Sequence, residues 1–149
     1  MKNSLCLILS FLFVSIGHAQ LASPNDSGVT FGHVHLNVSD IEEHKQIWVD
    51  HFNGTIVEKG SHSVIKLPNM LITLTQQKPT MDSIETAMHH FGFKVRRMDK
   101  FLDKWRADGL QVGSMFLGAE GQLNAYVTLP DGVEVEMQED RGLQEEITR

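Results

Sequence analysis

The chain has 149 residues, 13 of them Lys or Arg against 19 Asp or Glu, and a formal net charge of −6. That length holds one domain with an adequate core. An acidic balance without a Lys/Arg cluster argues against nucleic acid as the main partner, and the one short basic run, Lys94, Arg96 and Arg97, reads as a solvated rim.

Residues 1–19 read as a secretory signal peptide. Lys2 supplies a basic start, residues 5–16 are apolar but for Ser10 and Ser15, and Gly17-His18-Ala19 places small residues at a cleavage point before Gln20. A membrane-spanning helix needs about 20 apolar residues, more than this run contains. Cleavage is expected to leave a secreted or periplasmic chain with no membrane attachment. Its formal charge becomes −7, 12 basic against 19 acidic residues, because Lys2 leaves with the leader. Cys6 leaves too, so the mature chain offers no disulfide, thiol nucleophile or thiolate metal ligand.

Residues 20–29 are rich in Ser, Pro, Asn, Asp and Gly and are expected to form a flexible mature N-terminus. The next stretch, Gly32-His33-Val34-His35-Leu36-Asn37-Val38-Ser39-Asp40, alternates with period two. Val34, Leu36 and Val38 take one face of a strand; His33, His35 and Asn37 take the other. Two imidazoles and an amide suit the wall of a polar cavity better than a plain core. Ser39 and Asp40 then stop the strand and cap a helix, with Glu42 and Glu43 each three residues after a possible cap. That helix carries Ile41, Trp48 and Phe52 on one stripe with His44 in line, and Asn53-Gly54 ends it. Strand-like runs follow at 55–58, 63–67 and 70–75, punctuated by Gly60 and Pro68-Asn69.

After a polar linker at 76–87 the pattern starts again. His90-Phe91-Gly92-Phe93-Lys94-Val95 alternates with Phe91, Phe93 and Val95 on its apolar face. Met98, Phe101, Leu102 and Trp105 fall at helical spacing and Gly109 ends that helix. Three more strands are expected at 110–115, 122–129 and 133–138, with Pro130-Asp131-Gly132 as the last turn. The domain at 30–140 is thus β-α-β-β-β twice, in halves 30–76 and 88–139, followed by a polar tail at 141–149.

Three ordered motifs carry a resemblance. They are His33-Val34-His35-Leu36-Asn37-Val38-Ser39-Asp40, His90-Phe91-Gly92-Phe93-Lys94-Val95, and Leu129-Pro130-Asp131-Gly132-Val133-Glu134-Val135-Glu136-Met137. With the helices between them, residues 29–140 resemble the vicinal oxygen chelate superfamily, which includes glyoxalase I, extradiol dioxygenases and bleomycin-binding proteins. The resemblance implies an α+β fold in which two tandem βαβββ modules form a cupped, mixed or antiparallel eight-stranded sheet with two covering helices. It also implies one divalent metal ion (Zn, Mn, Fe, Ni or Co), with His33, His90 and Glu136 at ligand positions. The fourth ligand position of the family falls at Thr73, whose hydroxyl is a poor ligand. Two imidazoles and one carboxylate leave a net positive centre with open positions for substrate oxygens.

Other residues on the same faces are candidates for substrate contact or proton transfer. His35, Glu134 and Tyr126 are assigned as catalytic candidates, and Asn37, Thr73 and Lys94 to the substrate pocket. The bland readings stand beside these: Glu134 and Glu136 as a solvated strand edge, His89 as a rim residue pointing away from His90, and His44, His51 and His62 as surface groups. Trp48, Trp105, Phe101 and Met98 read as core.

Fold does not dictate function in such a family. Glyoxalase I and the fosfomycin transferases use cytosolic thiols, which an exported chain does not meet. Fe(II) competes poorly outside the cell with Zn(II) or Cu(II), which weakens the dioxygenase reading. Two principal readings stay open. One is a metal-dependent lyase, isomerase or dioxygenase-like enzyme on a small oxygenated molecule; the other is a metal-free binding protein of the bleomycin-resistance type. A homodimer is expected for either, and a degenerate domain serving only in dimer assembly is a third.

Overall fold

The first half opens with β1 (His33–Val38), turns into α1 (Ile41–Asp50), and continues through β2 (Thr55–Lys59), β3 (His62–Leu67) and β4 (Met70–Gln76). The second half repeats this plan with β5 (Phe91–Val95), α2 (Met98–Ala107), two short strands β6 (Gln111–Val112) and β7 (Phe116–Leu117), then β8 (Leu123–Leu129) and β9 (Val133–Glu139). The computed structural model describes residues 23–60 and 62–140; the expected leader, with Cys6, and the tail at 141–149 lie outside the described residues.

The strands form two sheets, in the orders β1-β4-β3-β2 and β5-β9-β8-β6, with β7 also paired to β8. The α+β class and the doubled βαβββ plan are as the sequence implies, but in place of the expected eight strands the described residues form nine, in two sheets. The difference lies at 110–115, where one continuous strand is expected. Gly113 donates its amide to the Tyr126 carbonyl at 2.8 Å just after β6, and pairing to β8 resumes only at β7. A glycine without a side chain to pack leaves that strand easy to interrupt.

In each half the first and last strands pair in parallel, β1 with β4 and β5 with β9. The intervening helix crosses the apolar side, as this connection requires. Asp40 caps α1, its carboxylate accepting from the amides of Glu42 and Glu43 at 2.9 and 3.2 Å. At the other end Asn53, not Gly54, takes the left-handed conformation, at φ 54°. Gly54 serves close packing instead: a Cβ there would lie 2.6 Å from Ile65 Cγ2 and 2.9 Å from the Trp48 carbonyl.

The apolar faces of both halves merge into a single core. Trp48, Leu102 and Trp105 are wholly buried. Rings from both halves interlock there: Phe52 lies 5.4 Å from Phe93 and 5.5 Å from both Phe101 and Trp105, and Trp48 lies 6.2 Å from Phe91. Such offset and edge-on pairs add to the gain from area burial. Successive strand residues point to opposite sides, so each sheet turns its polar face away from this shared core.

A polar contact ties the halves as well. Asp131, held at φ 62° in the last turn, accepts from the Ser39 amide at 2.7 Å and the Ser39 hydroxyl at 2.6 Å. It also lies 3.4 Å from Nε2 of His44, which is fully buried. The expectation of a surface role for His44 is therefore corrected: it faces the junction between the halves. At that distance the Asp131 contact is chiefly electrostatic. Burial holds the His44 pKa below the ordinary value of 6.5, against the raising influence of Asp131. His51 is corrected likewise. Its side chain is only 5% exposed, it packs edge-on 4.5 Å from Trp105, and burial lowers its pKa too.

Because the unfolded chain protonates these histidines more readily than the folded one, stability is full above the ordinary histidine pKa and falls as pH drops below it. Urea unfolding should show a midpoint that declines from about pH 7.5 to pH 5. The His44→Gln variant should flatten that decline; an unchanged slope would place the proton uptake elsewhere.

Candidate functional site

Two polar faces result, one per half. On the first, the parallel register sets His33 beside Leu71, His35 beside Thr73 and Asn37 beside Thr75. His35 Nε2 lies 2.6 Å from the Thr75 hydroxyl, which fixes the ring. His33, His35 and Thr73 line a cavity of about 280 Å³ together with Lys59, His62, Val64 and Leu71. His62, which opens β3 opposite Lys59, is exposed as expected and also borders this cavity.

The second face is built in rows across β5, β9 and β8. Gly92, Glu136 and Tyr126 lie side by side; one row away Lys94 and Asn124 flank Gln138, and Thr128 pairs with Glu134. Gly92 keeps the row open, since a Cβ there would come within 3.0 Å of the Glu136 carbonyl. Glu136 accepts from Asn124 Nδ2 at 2.8 Å and from Gln138 Nε2 at 3.3 Å, and its Oε2 lies 3.4 Å from His90 Nε2. Its side chain is 14% exposed, so it is half sheltered yet open to a ligand. The Glu134 carboxylate accepts from the Thr128 hydroxyl at 2.6 Å. The linker touches this face too, because the Ser83 hydroxyl accepts from the Glu134 amide at 2.9 Å and donates to the His89 carbonyl at 2.8 Å.

The His90 ring lies 5.2 Å from that of Tyr126, edge to face, and Phe116 stacks on Tyr126 at 5.6 Å. His89 was expected to point away from His90; instead their Nδ1 atoms lie 2.8 Å apart. A positive φ of 38° at His89 breaks the strand alternation that the expectation assumed. Burial raises the Tyr126 pKa above its ordinary value, with Glu136 and Glu134 adding to the rise. The phenol therefore holds its proton.

The structure thus brings His90, Glu136, Tyr126 and Glu134 to one face and His33, His35, Asn37 and Thr73 to the other. Lys94 is exposed beside the second group and borders an apolar cleft of about 360 Å³ with His51, Phe52 and Phe101. Among the described residues, no three His, Cys, Asp or Glu side chains of one chain gather in a metal-binding group. His90 and Glu136 meet; His33 stands on the other sheet. Asn124, which anchors Glu136 and is only 3% exposed, was not singled out from the sequence. Its signal was available in the period-two alternation of its strand, which sets it on the same face as Tyr126.

A sequence profile described as the Glyoxalase/Bleomycin resistance protein/Dioxygenase superfamily matches residues 30–137. No curated protein matches the chain. Among solved structures, the genomically encoded fosfomycin resistance protein FosX from Listeria monocytogenes is similar at TM-score 0.66 and 14% identity, covering 78% of this chain and 97% of that one. A lactoylglutathione lyase from Agrobacterium tumefaciens is similar at TM-score 0.57 and 19% identity, covering 76% and 93%. A glyoxalase family protein from Bacillus anthracis described as putative gives TM-score 0.61 and 18% identity, covering 76% and 95%. At these identities the likeness speaks for the fold alone.

Tyr126 is the only tyrosine in the chain, so tyrosinate absorbance reports on it alone. Its titration midpoint should lie above that of free tyrosine, and Glu136→Gln should lower it by removing a neighbouring negative charge. A midpoint unmoved by Glu136→Gln would show that the two groups do not interact.

Proposed function

The chain belongs to the Glyoxalase/Bleomycin resistance protein/Dioxygenase superfamily, and from that premise we propose that it is an exported, metal-dependent enzyme acting on a small oxygenated molecule. The reaction is of lyase, isomerase or dioxygenase type. His33, His90 and Glu136 hold one divalent ion, and the working unit is a homodimer.

The observation that carries this reading is the His90–Glu136 pair at 3.4 Å, with Glu136 anchored by Asn124 beside the Tyr126 ring. This is two-thirds of a 2-His-1-carboxylate set, positioned by buried partners as metal ligands are. The remaining histidine faces the other cavity, so the set fits an ion only when the first face of one copy meets the second face of another. Apolar but exposed side chains support such a pairing: Met115, Phe116 and Leu117 lie beside the second face, and Met88 precedes the His89–His90 pair. Exposed apolar groups of this kind mark surfaces that associate.

When bound, the ion supplies Lewis-acid polarisation of a substrate oxygen. The chain's own groups do the rest. Tyr126 Oη holds a proton to donate, and Glu134, steadied by Thr128, accepts one. His35, fixed on Thr75, is a second group for proton transfer. Asn37, Thr73 and Lys94 orient the substrate.

Elemental analysis of protein recovered from the exported fraction, without an affinity-metal step, tests the reading together with N-terminal sequencing. About one equivalent of Zn, Mn, Fe, Ni or Co per chain is expected, lost in both His33→Ala and Glu136→Ala, with a mature start at Gln20 and a dimer in sedimentation. A protein that takes up no metal when ions are added back overturns the enzyme reading. It would favour the alternative of a metal-free small-molecule binding protein, in which each face is simply a pocket wall.

A further inference from the structure

The first cavity has a charge pattern at odds with the rest of the chain. The formal charge is −6, yet the lining contains one ammonium, three imidazoles and a hydroxyl, from Lys59, His33, His35, His62 and Thr73, and no carboxylate among the described residues. Its floor is apolar, from Val64 and Leu71.

Lys59 and His62 are Cα partners at the closed end of the β2–β3 hairpin, where Gly60 takes φ 64°. Residues directly opposite on an antiparallel pair send their side chains to the same face about 5 Å apart. The two pairs next to it are already used. Glu58 accepts from the Ser63 hydroxyl at 3.0 Å on the opposite face, and Val57 and Val64 pair on the cavity side. Lys59 forms no ion pair among the described residues. A cation without a counter-ion, next to a ring N–H donor and over an apolar floor, is a recess that favours an anion.

We infer that Lys59 and His62 form an oxyanion subsite that holds a carboxylate or phosphate group of the ligand, with the ligand's remaining part directed along the cavity towards His35 and His33. The inference rests on the reading above only in taking this cavity as the substrate's. The two anchoring residues are ones which that reading does not use. The substrate class is thereby narrowed to small oxygenated acids.

Chemical-shift mapping on the full-length mature protein, with the metal removed by chelation and again with it present, tests the subsite. The probes are inorganic phosphate and acetate, against chloride at matched ionic strength. Both oxyanions should shift the Lys59 and His62 signals saturably, where chloride does not. Lys59→Ala should weaken phosphate binding about tenfold, the worth of one charge-assisted contact, while Lys59→Arg should retain it. Lys100→Ala, an exposed cation on α2 away from this cavity, should leave binding unchanged. Equal responses to phosphate and chloride, or equal phosphate affinity in wild type and Lys59→Ala, would overturn the subsite. His33→Ala separates the two ideas: phosphate binding that survives this substitution supports the subsite, whichever way the metal analysis falls. Metal bound with no oxyanion response overturns the subsite alone.

Discussion

An aromatic junction holds the two halves of the fold together. Trp48 of α1 and Phe52, in the turn just after it, interlock with Phe91 and Phe93 of β5 and with Phe101 and Trp105 of α2. Each half alone would leave one apolar sheet face and one helix stripe exposed. Packed together they bury one continuous core. The same event decides where the chemistry lies, because a strand that gives its apolar side to the core must turn its polar side away from it. A single copy therefore carries two polar faces, backed by one core and separate from each other.

That separation shapes every functional statement. The second face sets a carboxylate and a phenol side by side in a row that begins at Gly92, with His90 in contact with both and with Asn124 and Gln138 fixing the carboxylate. The first face is a recess of imidazoles around one ammonium. One face is rich in acceptors and the other in donors. The proposed dimer would bring the two into one cavity, where an ion would lie between ligands from both and an acid would find its counter-charge on the first. A superfamily known for varied chemistry on one fold is well served by this division, since each face can change without disturbing the core.

The histidines show why residue type alone is a poor guide to role. Eight are present in the chain. His44 lies beneath Asp131 at the junction, His51 packs on Trp105, His62 faces the first cavity, and His89 pairs with His90. As polar residues His44 and His51 read as surface groups, although helical periodicity sets His44 in line with the apolar stripe of α1. What overrode that reading was the arrival of a second half against the same helix, which no local pattern reports. The positive φ at His89 is comparable: it depends on how the linker meets β5, with Ser83 accepting the Glu134 amide.

Local patterning alone specified the doubled β-α-β-β-β plan, the polar side of each first strand and the cap at Asp40. It also set His90, Glu136 and Tyr126 on comparable strand faces, because strand alternation and helical spacing are short-range and written in neighbouring residues. It took packing across the chain to bring the nine described strands into two sheets, to anchor Glu136 on Asn124, to join Lys59 to the histidines of the first cavity, and to set His33 apart from His90. Those outcomes depend on register across strands and on the way two halves share a core, and both are contacts between residues far apart in the chain.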